Sequence, residues 1–163
     1  MRFSFRPMTE PDARSVLSWR YEGPYAFYNV DSADSGDVIC EMLDGTHWAV
    51  EDERGYLVGF LAIGPSAQVE GGHRAGAYER HEGLDIGLGM RPDLTGKGAG
   101  LGFVTACVEF ARRELGATTL RLAVAIFNER AIRVYERVGF RRGPVFPSRS
   151  PAGEVDFLLM TST

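Results

Sequence analysis

Apolar residues recur along this chain at two spacings, every second position and every third or fourth, and the two spacings alternate. Phe3 and Phe5 interleave with Arg2, Ser4 and Arg6, the period of a half-buried strand. Pro7 marks that strand as an edge, or as its end. Thr9 follows as a helix N-cap, with Pro11 in the first turn and Asp12 at the capping-box position. The stripe Ala13, Val16, Leu17 carries the helix to about Tyr21, and Gly23-Pro24 breaks it. A second helix is predicted over roughly Ser32 to Leu43. Thr46 to Glu51 and Tyr56 to Ile63 read as strands joined by a tight turn. Residues 66 to 82 are polar and glycine-containing and read mostly as loop, which is long for a compact domain.

Leu84, Ile86, Leu88 and Met90 share one face of the next strand, and Asp85, Gly87 and Gly89 take the other. Two glycines inside a strand suggest a bulge or a closely approached backbone. Leu101, Val104, Val108, Ala111 and Leu115 then form a helical stripe that Gly116 ends. Thr118 to Ile126 is a buried strand. Asn128 caps a helix over Glu129 to Val138, and Gly139 stops it. The last strands are about Phe140 to Phe146 and Glu154 to Met160, joined by residues 147 to 153. The order β-α-α-β-β-β-α-β-α-β-β predicts an α+β (mixed α/β) fold, a central mixed sheet flanked by helices. No repeat or linker interrupts it, so residues 1–163 read as one domain.

Candidate chemistry sits where the strand ending at Met90 turns into the following helix. Gly96, Gly98 and Gly100 occupy alternate positions there. Glycine weakens a helix start, so three of them need a reason. Close approach of a ligand is one. Free N–H groups in a first helical turn, at the positive end of the helix dipole, make an anion site suited to phosphate. A tight turn without a ligand is the alternative. The P-loop pattern fails because Gly98, not Ser or Thr, follows Lys97.

Composition narrows the classes. The net charge of −4, with basic residues spread along the chain, speaks against a nucleic-acid partner. The N-terminus lacks a signal-like apolar run, and no stretch approaches the ~20 apolar residues of a membrane span. A cytoplasmic protein with no membrane partner is expected. Cys40 and Cys107 lie far apart in apolar helical patterns and read as two buried free thiols. His47, His73 and His81 show no ligand spacing, so no metal is expected. Trp19, Tyr21, Tyr25, Phe27 and Tyr28 form the densest aromatic cluster, with pocket lining and core filling equally open.

Two segments are similar to a known pattern. Thr95-Gly96-Lys97-Gly98-Ala99-Gly100 resembles the glycine turn of GNAT-type N-acetyltransferases, with Thr95 where that family usually has Arg or Gln. Asn128 to Phe140 resembles its Asn, Ala, Tyr and Gly-Phe signature through Asn128, Ala131, Tyr135, Gly139 and Phe140. The resemblance implies the GNAT-like acyl-CoA N-acyltransferase fold, with a mostly antiparallel, splayed sheet, along nearly the whole chain. It implies acetyl-coenzyme A as co-substrate. The pyrophosphate would rest on the N–H groups of Thr95, Gly96, Lys97, Gly98, Ala99, Gly100 and Leu101. The pantetheine arm would lie against Leu88, Gly89 and Met90, in a gap opened by a bulged strand, with Asn128 near the thiol. Tyr135 would protonate the departing thiolate, and the Leu88 or Gly89 N–H would hold the oxyanion. Asp85 is the first candidate base and Glu82 the second, ahead of His81, Glu41 and Asp156. The implied function is acetyl transfer to a primary amine, on a small molecule, a protein N-terminus or a lysine. A coenzyme A-binding sensor or scaffold is the alternative. Exposed edge strands leave monomer and homodimer open.

Overall fold

The computed structural model describes residues 1–31, 35–80, 83–150 and 153–163. Strand β1 (Ser4–Pro7) leads into α1 (Glu10–Ser18), a 3-10 turn (Gly23–Tyr28) and α2 (Ser35–Met42). Then come β2 (His47–Glu51), β3 (Leu57–Ile63), α3 (Glu70–Arg74) and β4 (Leu84–Met90). The chain closes with α4 (Gly100–Arg113), β5 (Leu120–Ala125), α5 (Glu129–Val138), β6 (Arg141–Ser150) and β7 (Gly153–Ser162). The seven strands lie in the order β1-β2-β3-β4-β5-β7-β6. Every neighbouring pair is antiparallel except β4 with β5. The predicted order is therefore found, with one short helix added.

The alternating strand faces explain the layers. Val58, Leu61, Ile86, Leu122 and Val124 pack against Phe103, Val104, Cys107, Val108 and Ile132 of α4 and α5. Met8, Ala13, Met42 and Ala49 form a second cluster, with α1 and α2 on the opposite sheet face. Phe146 and Phe157 stack in a third, where β6 and β7 meet. Gly139 closes α5 in the left-handed region at φ 106°, and the Phe140 N–H donates to the Tyr135 carbonyl, as the sequence predicts.

Three sequence expectations need correction. The stretch read as loop contains the end of the 3-10 turn Gly64–Ala67 and all of α3. Its Gly71 and Gly72 look like breakers, but they let α3 lie against β6: a Cβ on Gly71 would stand 2.0 Å from the Pro147 carbonyl oxygen. The segment expected to join the last two strands is largely strand, since β6 runs to Ser150 and β7 starts at Gly153. Pro144 and Pro147 are tolerated because β6 is an edge strand. Cys107 is buried as expected, but Cys40 is exposed. Among the described residues, no helix is long and apolar enough to cross a membrane.

The capping box predicted at Thr9 is reinforced from β1. The Asp12 carboxylate accepts from the Thr9 N–H at 2.9 Å and from the Arg6 guanidinium at 2.5 and 3.0 Å. The hydrogen bond from Arg6 is the main cause that holds the Asp12 pKa down to about 2, against 3.8 for a free side chain. A depressed folded-state pKa gives stability that is complete above the unfolded value and lost as pH falls through about 2. Asp12→Asn should lower stability at neutral pH and flatten its decline below about pH 4. Acid unfolding followed by circular dichroism measures both.

Candidate active site

The parallel pairing of β4 with β5 lasts for two residues, Leu84 opposite Leu120 and Asp85 opposite Arg121. Beyond it the strands part, and a cleft of about 540 Å³ opens between them. Ile86 to Met90 form one wall, with Leu122 and Ala123 across the gap. The expected splay is present, but without the expected bulge. From Gly59 opposite Met90 to Ile63 opposite Ile86, β3 and β4 stay in unbroken register. Gly89 is glycine for another reason than an approaching ligand: the Phe60 ring lies across it, and a Cβ would stand 2.1 Å from that ring.

Register decides which β4 groups face the gap. The Leu84 N–H donates to the Thr119 carbonyl, next to β5, while the Arg91 N–H donates to Val58 of β3. Successive residues of a strand direct their N–H and C=O to opposite sides. Leu88 and Met90 therefore present theirs to the gap, and Gly89 turns its own toward β3. The Met90 carbonyl already accepts from the Tyr21 hydroxyl at 2.9 Å. The Leu88 N–H and C=O and the Met90 N–H remain directed at the cleft.

At the cleft's end the chain turns into α4. Gly96 and Gly98 take φ values of +73° and +87°, a conformation strained for any residue with a Cβ. The N–H groups of residues 96 to 102 make no well-formed hydrogen bond among the described residues. They lie at the positive end of α4, a helix of 14 residues. Thr95 differs: its N–H and hydroxyl both donate to the Pro92 carbonyl, closing the turn before them. Thr95, Gly96, Gly98, Gly100 and Leu101 line the cleft, while the side chains of Lys97 and Ala99 do not. Arg130 and Arg137, from α5, also line it. The Arg130 guanidinium rests 4.4 Å from the centre of the Tyr25 ring and beside Gly96.

Tyr135 and Asn128 meet the same cleft from α5 and its cap. Burial pushes the Tyr135 phenol well above its usual pKa, with Tyr28 and Cys107 adding to the effect, so it holds its proton at neutral pH. Asn128 accepts from the Ala131 N–H at 3.2 Å as the helix cap, and its amide donates to the Tyr28 hydroxyl at 3.2 Å. The aromatic cluster divides: Trp19, Tyr21, Tyr25 and Tyr28 line the cleft, and Phe27 packs into the core near Phe157.

A model of the Acetyltransferase (GNAT) family matches residues 13–140. The chain belongs to this family. The mycothiol acetyltransferase of Salinispora arenicola is 33% identical over 146 residues, which cover 85% of this chain and 44% of that protein. That of Propionibacterium freudenreichii is 38% identical over 89 residues, 55% of this chain and 25% of that one. The chain thus spans less than half the length of these relatives. A spermidine N-acetyltransferase SpeG chimera from Vibrio cholerae and hSSAT superposes with a TM-score of 0.70 at 17% identity, covering 99% of this chain and 95% of that one. A GNAT-family acetyltransferase from Bacillus anthracis gives 0.65 at 17%, covering 99% and 94%. Likeness at that identity speaks for the fold alone.

In this GNAT chain the first candidate base is placed elsewhere. Asp85 is buried, and both its oxygens are bound: Oδ1 to Arg121 Nε at 2.9 Å, Oδ2 to Arg121 Nη2 at 2.8 Å and to Gln68 Nε2 at 2.7 Å. It does not line the cleft, and its carboxylate is the counter-ion of a buried guanidinium. The base expectation for Asp85 is therefore withdrawn. Glu82 and His81 lie outside the described residues. Glu41 and Asp156 are exposed and do not line the cleft. Among the described residues no His, Cys, Asp and Glu cluster is arranged to hold a metal ion. The sequence reading missed Arg130 and Arg137, whereas Tyr21 belongs to the aromatic cluster for which pocket lining was one of the two readings. Asp85→Ala would leave Arg121 charged and buried without its counter-ion, at an expected cost of about 3–5 kcal/mol. Urea unfolding measures it, and unchanged stability would return Asp85 to the list of exposed acids.

Proposed function

We propose that the chain is one N-acetyltransferase domain that moves an acetyl group from acetyl-coenzyme A to a primary amine. The observation that carries this reading is the row of unbonded N–H groups from 96 to 102, continuous with the open edge of β4. A pyrophosphate fits the first and an extended amide-bearing arm the second. Arg130 and Arg137 supply positive charge for the phosphates. The arm pairs with Leu88 and with the Met90 N–H, and its thioester reaches Asn128 and Tyr135. Acetyl-coenzyme A as the donor agrees with the cytoplasmic location read from the sequence.

The chemistry follows from the groups at hand. The neutral amine nitrogen bonds to the thioester carbon, and the carbonyl electron pair moves onto oxygen, facing the Leu88 N–H. The C–S bond breaks as the oxyanion collapses. Sulfur receives a proton from Tyr135, and the proton leaving nitrogen restores Tyr135 through water. No carboxylate among the described residues lines the cleft, so the amine arrives neutral or loses its proton to water. The raised Tyr135 pKa suits a group that must enter each turnover protonated.

Tyr135→Phe should lower kcat about 10²-fold, the scale of losing one proton donor, and leave the acetyl-coenzyme A Kd unchanged. Thiol release and calorimetry test the pair, and an unchanged kcat would remove the acid role. With any single amine, kcat/KM should climb with pH toward that amine's own pKa. A shoulder at about pH 4–6 would instead reveal a carboxylate base.

A further inference from the structure

Residues from both faces of the sheet line the cleft, and the two sides, its two mouths, differ in chemistry. Ile86, Leu88 and Met90 pack with the α4 core, whereas a Cβ on Gly89 would meet Phe60, which packs with Val16 of α1 on the other face. The mouth on the α4 and α5 side carries the open N–H groups, Arg130 and Arg137. The mouth on the α1 side is walled by Val16, Trp19, Tyr21, Tyr28, Val30 and Phe60.

No charged residue stands among those six. Among the described residues of the same connection, the acids Glu22 and Asp31 do not line the cleft. The two phenols are turned into the protein's own bonds, Tyr21 to the Met90 carbonyl and Tyr28 to Asn128. Burial raises the pKa of both, to about 12 for Tyr21, so neither supplies a negative charge at neutral pH. Trp19 meets Phe60 with ring centres 6.4 Å apart, and Tyr21 meets Tyr28 edge-on at the same distance. Four of the six wall residues are aromatic and two are valines.

We infer that the acceptor is a primary amine borne on an aromatic or branched aliphatic body with no second positive charge. This rests on the acetyl-transfer reading and narrows it. An apolar body leaves water for a surface of rings and valines. A second ammonium would lose water in the same place and find no carboxylate among the described lining residues in return. The phosphate mouth cannot take it either, since its own charge is positive. Ring faces do attract cations, which makes a diamine the decisive competitor.

The probes are 2-phenylethylamine, 3-methylbutylamine and 1,4-diaminobutane, each with acetyl-coenzyme A and the full chain. The kcat/KM for the two monoamines should exceed that for the diamine by about tenfold or more, the factor a single uncompensated charge readily produces. Equal or better use of the diamine overturns the inference. If no amine is acetylated, the same three are titrated into the coenzyme A complex by calorimetry. Tighter binding of the monoamines then upholds the character of the mouth and overturns the acetyl-transfer reading. Equal binding, tighter diamine binding or no binding overturns the inference itself. Val30→Glu supplies the missing carboxylate and should move the preference toward the diamine, and an unmoved preference counts against the inference.

Discussion

One pair of residues fixes where the sheet stops being a sheet. Asp85 and Arg121 face each other in the backbone register of β4 and β5, and their side chains close a buried bidentate ion pair at the same point. Arg121 also donates to the Arg80 carbonyl at 3.0 Å and lies over the Tyr78 ring, while Gln68 reaches Asp85. The connection between β3 and β4 is thereby tied to the vertex of the splay. A buried pair of this kind adds little net stability over an apolar substitute, but breaking it is costly. Its value here is positional. It holds two strands together for two residues and no further, and the cleft begins at the next one.

The electrostatic layout follows from that vertex. Backbone N–H groups and arginines gather at one mouth, rings at the other, and the reacting bond would lie between them beside Tyr135. The positive end is built mostly from main chain, so its cost falls on conformation: Gly96 and Gly98 must hold positive φ. The neutral end is built mostly from side chains of the segment between α1 and α2, with Val16 of α1 and Phe60 of β3. Tyr25 connects the two, since its ring carries the Arg130 guanidinium.

Much of this was legible in the sequence, and the failures have physical causes. Helix α5 and strand β4 match their expected limits because periodicity, cap and stop agree at each. The glycine turn was found from spacing alone, since few other arrangements need glycine at alternate positions. Gly89 was assigned to the wrong neighbour, because the ring that fills its space comes from β3, far off in sequence. Asp85 was misjudged for the same reason: a carboxylate beside a reaction centre reads as a base until the distant Arg121 is seen against it. Arg130 belongs to the cleft through contacts across the fold, with Tyr25 and Gly96, which local pattern does not encode.

The central claim is that the gap between β4 and β5, with the N–H row beside it, receives coenzyme A. Amide resonances read that contact group by group. Titrating coenzyme A into isotopically labelled protein should shift the amides of residues 96 to 102 and of Leu88 and Met90 most, with Gly89 and the β6 and β7 amides moving less. Saturable binding whose largest shifts fall outside the cleft, or no shifts at millimolar ligand, would contradict the account.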